Sequence, residues 1–156
     1  MTTMTADQTT TPTPPEDTSG ETSYTSAQVA LLAGCTYRQL HYWCSMFGIH
    51  HDRDPGSGNP RRWTRAEIRA ACTLADLVRH GIQPRPWAES LIAVLRRHHD
   101  ATYLLLSQRF DSPLPFTDAA GAARWVLGTD EPVTKVAVRE VPEHPPIVPY
   151  DPRGYR

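Results

Sequence analysis

From Tyr24 to about His99 the apolar residues recur at helical spacing; before residue 24 they are almost absent, and beyond residue 100 the spacing shortens. Leu40, Trp43, Cys44 and Phe47 fall at i, i+3, i+4 and i+7, a single helical stripe. Ile68, Ala71, Cys72, Ala75 and Val78 keep the same period later in the chain, as do Trp87, Leu91, Val94 and Leu95. Local start signals place the helix ends. Thr25, Thr36 and Thr64 are each followed three residues later by Gln28, Gln39 and Glu67, the pattern in which a Thr hydroxyl and an amide or carboxylate satisfy each other's free backbone N–H groups. Gly34 marks the end of the first helix, since glycine tolerates the left-handed C-cap conformation. The third helix runs from Thr64 to His80-Gly81. Pro84 and Pro86 suit the first turn of a fourth, which ends near Arg96-Arg97-His98-His99. The four helices are expected to pack around Leu40, Trp43, Phe47, Ile68 and Leu91.

Only Gly34, Cys35 and Thr36 separate the first two helices, the spacing of a helix-turn-helix. The polar face of the second helix carries Arg38, Gln39, His41, Tyr42 and Ser45, groups that read base edges or phosphates. An ordinary solvated face of a core helix would show the same pattern. The loop that follows, Asp54-Pro55-Gly56-Ser57-Gly58-Asn59-Pro60, is turn chemistry. Arg61-Arg62-Trp63 comes directly after it. Two arginines at a hairpin beside a recognition helix suit a wing on the phosphate backbone, because guanidinium forks match phosphate oxygens in pairs.

These residues resemble the DNA-binding domain of the MerR family, including its small excisionase-like relatives. Tyr24-Thr25 opens the stretch as that domain opens, and Gly34-Cys35-Thr36 stands at the family's Gly-Val-Ser turn. Leu40-His41-Tyr42-Trp43 stands at its Leu-Arg-Tyr-Tyr, and Arg61-Arg62-Trp63-Thr64 at its Arg-Arg-Tyr-Ser/Thr. The resemblance implies a winged helix-turn-helix in which Tyr37, Arg38, His41 and Tyr42 face DNA from the recognition helix and Arg61 and Arg62 from the wing. His41 replaces an arginine, which makes a phosphate contact there pH-dependent. Asn59-Pro60 replaces the family's Gly-aromatic in the wing.

Charge changes the picture less than its total suggests. The net charge of the 156-residue chain is −1. Residues 24–110, however, hold 11 arginines against 6 acidic residues, while the flanks hold 5 basic and 11 acidic residues. A basic centre between acidic ends is the asymmetry of a nucleic-acid binder. Cys35, Cys44 and Cys72 show no CxxC spacing and read as buried thiols rather than metal ligands or disulfides. His50-His51 and His98-His99 are neighbours in sequence, and adjacent residues of a strand point to opposite faces, so neither pair forms a metal site alone. No run of apolar residues reaches a membrane span and no signal peptide precedes the domain, so a cytoplasmic protein without membrane contact is expected. Catalytic triads, paired carboxylates and phosphate-cradling glycine loops are absent from the sequence; Gly56-Ser57-Gly58 lacks the Gly-Lys-Ser/Thr ending of a P-loop. The expectation is a non-enzyme with no cofactor and no metal.

Residues 1–23 are rich in Thr, Pro and acidic side chains and are expected to be a disordered tail. Residues 101–141 read as a strand over 102–107, a Pro-containing turn, a helix over 117–127 capped by Thr117, and a strand over 133–141. This is a βαβ or ββαβ unit for dimerisation, for partner binding, or for covering the helices. Residues 142–156 form a Pro-rich extended tail. The expected fold is therefore mainly α with a small β component: a winged helix-turn-helix, four-helix domain over 24–100 and a small α/β, βαβ-like unit over 101–141. The expected function is sequence-specific binding of double-stranded DNA by a transcriptional regulator, acting as a homodimer or a cooperative head-to-tail assembly. Two other functions fit the same module. One is an excisionase-like recombination directionality factor; the other is a winged-helix adaptor that binds protein and not DNA.

Overall fold

A computed structural model describes residues 21–22, 24–49 and 63–149. The expected wing loop with Arg61 and Arg62, the His50-His51 pair, residues 1–20 and residues 150–156 lie outside the described residues. The element order is β1 (Glu21–Thr22), α1 (Ser26–Ala33), α2 (Tyr37–Phe47), β2 (Trp63–Thr64), α3 (Arg65–Arg79), α4 (Ala88–Arg97), β3 (Tyr103–Leu106), β4 (Leu114–Phe116), α5 (Ala119–Leu127) and β5 (Thr134–Ala137). It is a mainly helical molecule with a small three-stranded antiparallel sheet.

The three capping boxes close as expected. The hydroxyls of Thr25, Thr36 and Thr64 accept from the backbone N–H of Gln28, Gln39 and Glu67, whose side chains accept in return from the threonine N–H. Gly34 holds φ 72°, and its N–H bonds back to Ala30 and Leu31. α1 and α2 are thus locked at a three-residue turn. α3 is the central helix: Ile68, Ala71, Cys72 and Ala75 are buried, and so are Ala70, Thr73, Leu74 and Leu77. Val78, expected in the stripe, is exposed: in the last turn of α3 the buried position is Leu77, and Val78 lies on the neighbouring, solvent-facing side of the helix. Leu40, Trp43, Ile68 and Leu91 lie in the core, and Phe47 is half-buried against it.

Four expectations are corrected. Glu21–Thr22 is not tail: it pairs antiparallel with Trp63–Thr64, so backbone pairing overrides the polar composition there. Pro84 and Pro86 precede the fourth helix: Trp87 N–H closes a turn on Pro84 O (3.0 Å) and is itself the N-cap. α5 is capped by Asp118, whose carboxylate accepts from Gly121 N–H at 2.6 Å, and not by Thr117, whose carbonyl instead accepts from the Thr102 hydroxyl at 2.7 Å. The stretch read as a Pro-containing turn includes a further strand, β4, giving the ββαβ order. The sheet order is β4-β3-β5, antiparallel throughout, so no parallel βαβ crossover forms.

Alternation along the strands seats this sheet on the helices. Leu104, Leu106, Val136 and Val138 join the same core cluster as α1–α4. Leu105 points the other way, by the two-residue period of a strand, and α5 packs over β3 and β4 on that side. Arg69, 1% exposed, ties the two parts together: its guanidinium donates to His99 O (2.6 Å) and to Ala101 O, at the junction of α4 and β3. Burial lowers its pKa, with Glu140 opposing.

Candidate nucleic-acid interface

The sequence of α2 divides its surface sharply. Leu40 and Trp43 are buried and anchor the helix, while Tyr37, Arg38, Gln39, His41 and Tyr42 are all exposed. Five of the seven expected site residues therefore share one solvent-facing surface. Arg61 and Arg62 lie outside the described residues.

The five differ in how far their side chains are already engaged. Gln39 Oε1 accepts from Thr36 N–H at 2.9 Å and faces the Thr36 hydroxyl at 3.2 Å, so its first task is to start the helix. Only its amide NH2 remains for a base edge. Tyr42 is 52% exposed, and its ring meets Phe47 edge-on with centroids 6.0 Å apart, which restrains its orientation. The Ser45 hydroxyl bonds back to His41 O at 3.0 Å and so belongs to the backbone. Tyr37 and His41 line a shallow cleft with Ser26, Leu40, Cys44 and Trp63. Trp63, the residue that follows Arg61-Arg62, thus stands beside the exposed face of α2. Its indole N–H donates to Ser26 Oγ at 3.2 Å, tying β2 to the start of α1.

The presentation of α2 depends on a cluster that sequence reasoning missed. A helix leaves its last carbonyls without partners. At the end of α1, Arg139 supplies them: its guanidinium donates to Leu32 O (2.8 Å) and Ala33 O (2.9 Å), and to both carboxylate oxygens of Asp76 (2.9 and 3.0 Å). Arg79 adds a bond to Ala33 O at 3.2 Å and an ion pair to Asp76. Cations here also complement the negative end of the helix dipole. A residue 106 positions away in sequence therefore braces the turn between α1 and α2. No local signal could have marked it.

Arg96, in the last turn of α4, pairs with buried Glu67 at 3.2 Å. The thiols of Cys35 and Cys72 are both pushed up to about 11, by burial first. They are protonated and weakly nucleophilic near neutrality. Among the described residues, no group of three or more His, Cys, Asp or Glu converges as metal ligands do. No helix among them is long and apolar enough to cross a membrane.

Residues 24–85 match the family model described as MerR HTH family regulatory protein, which spans α1, α2, β2 and α3 and ends before α4. No curated protein matches the chain.

Proposed function

We propose, from the premise that residues 24–85 form a MerR-type helix-turn-helix segment, that this chain is a sequence-specific double-stranded DNA-binding regulator of transcription. α2 enters the major groove, Arg38 makes a bidentate contact to guanine, and Tyr37, His41 and Tyr42 contact neighbouring bases or phosphates. Arg61 and Arg62 hold flanking phosphates from the wing. The protein acts through binding and not catalysis.

One observation carries this reading. A helix held by buried Leu40 and Trp43 exposes Tyr37, Arg38, Gln39, His41 and Tyr42 on one surface. Bulky aromatic and cationic groups exposed there gain nothing for the core, and their chemistry is that of base and phosphate contact.

The test is selection from random DNA duplexes with purified protein at moderate salt. An enriched motif is expected. Arg38→Ala should then relax preference at one position, a loss of about 1–3 kcal/mol of discrimination. Arg62→Ala should weaken all sequences alike and flatten the salt dependence. No enrichment, together with no salt-dependent binding of bulk DNA, would sink the reading.

A further inference from the structure

The exposed face of α2 changes chemistry halfway along the helix. Arg38, Gln39 and His41, in the first half, carry its donors and acceptors. The second half differs. Trp43 is buried, and Cys44 packs against the core. Ser45 is exposed, but its hydroxyl donates to His41 O at 3.0 Å and is committed to the helix itself. What remains toward solvent is apolar: the Tyr42 ring, 52% exposed, and Met46, 51% exposed, with half-buried Phe47 beside them. Apart from the Tyr42 hydroxyl, this half presents to solvent no uncommitted side-chain donor for a base edge.

Helix geometry shapes this surface into a ledge. Tyr42 and Met46 are four residues apart, so their side chains lie one above the other on the same side of α2. Phe47 meets the Tyr42 ring edge-on, with centroids 6.0 Å apart and planes at 77°, and so restrains that ring. Met46 adds an unbranched, adaptable side chain that moulds to a small apolar group. Neither Tyr42 nor Met46 belongs to the core cluster, so folding does not require an apolar residue at either place.

In the major groove only thymine presents an apolar group, its C5-methyl; the other readable positions are donors and acceptors. We infer that Tyr42 and Met46 form a methyl-reading ledge that selects a thymine beside the bases read by the first half of the helix. Met46 stands beyond Arg38 by a rise of about 12 Å, and base pairs stack about 3.4 Å apart. The selected thymine therefore lies within about four base pairs of the guanine read by Arg38.

The ledge is continuous with the hydrogen-bonding half of the same face, and one ligand must complement both. An apolar protein surface laid over Tyr42 and Met46 would also cover Arg38, Gln39 and His41, whose polar groups lose water and need partners of their own. A groove floor that sets isolated methyl groups among polar base edges meets both halves at once.

This inference rests on the DNA reading and extends it from hydrogen-bonded contacts to an apolar one, and its test separates the two. The duplex enriched from the random library is resynthesised with each thymine replaced in turn by deoxyuridine. That change removes the C5-methyl and leaves every hydrogen-bonding group in place. Binding is followed by fluorescence anisotropy with the full chain, with Met46→Gln and with Met46→Leu. For the parent chain, a deoxyuridine within that span of the Arg38 guanine should weaken binding about fourfold, the size of one buried methyl group. Met46→Gln, with unchanged circular dichroism, should bind the thymine and deoxyuridine duplexes alike at that position. Met46→Leu should restore the difference. A motif with no thymine in that span, deoxyuridine duplexes that bind the parent chain as tightly as thymine duplexes, or a deoxyuridine loss that persists in Met46→Gln overturns the ledge and leaves the DNA reading standing. No enriched motif at all overturns both.

Discussion

Gly34 sits at φ 72°, and a Cβ built there would lie 2.7 Å from Arg79 Nη2. Two costs therefore coincide on one atom: the left-handed conformation itself, about 1–2 kcal/mol for a non-glycine residue, and displacement of a guanidinium that serves the end of α1. Gly34→Ala should lower the stability by that amount or somewhat more in urea denaturation. An unchanged midpoint would show that the turn relaxes freely. The glycine was legible in the sequence because its role is local: it follows a helical stripe and precedes a second capping threonine. Thr117 shows the limit of the same reasoning. Thr117 and Asp118 are both good caps, and the sheet decides between them by drawing the Thr117 carbonyl to Thr102.

At the scale of elements, α1 and α2 owe their ends to capping chemistry within four residues, but their fixed relation to α3 owes much to Arg139. Its fork reaches two carbonyls of α1 and one carboxylate of α3 at once. A lysine there is a point charge on a flexible stem and cannot span that geometry. Arg139→Ala should cost about 1–3 kcal/mol, discounted from several charged bonds because the side chain is 36% exposed. Amide exchange at Gly34, Cys35 and Thr36 should accelerate, and Arg139→Lys should restore little of either. Equal exchange rates in Arg139→Ala and the parent chain would remove Arg139 from any role in aiming α2.

Across the whole molecule, one core is closed by helices on one side and by the sheet on the other, and titratable groups inside it link folding to pH. Cys35 and Cys72 rise from 9.0 to about 11, chiefly by burial, which disfavours their charged forms. Each contributes stability that is fully present below pH 9, and this is lost as pH climbs through about 11. Tyr24, also raised by burial, acts in the same direction at the upper end of that window. Urea midpoints measured from pH 8 to 11 should therefore fall. The fall should be shallower in a Cys35→Ala/Cys72→Ala double variant than in the parent chain. Parallel curves would show that the thiols titrate as if unfolded.

The sequence alone determined whatever depends on neighbours within about four residues. The three capping boxes, the Gly34 turn, the buried stripe of Leu40 and Trp43 and the exposed polar face of α2 all follow from backbone groups that must be satisfied nearby and from the 3.6-residue period. The family resemblance rested in part on those same residues, together with Tyr24 and the Arg61-Arg62-Trp63-Thr64 run, and the five described positions of the candidate site lie among them. What only the tertiary structure decided involves partners far apart in the chain. Pairing of Glu21–Thr22 with Trp63–Thr64, burial of Arg69 at the α4–β3 junction, the brace of Arg139 on α1 and the antiparallel order of the three-stranded sheet leave no periodic trace. Each is selected by which groups remain unsatisfied once the core has formed, and that condition exists only in the folded chain.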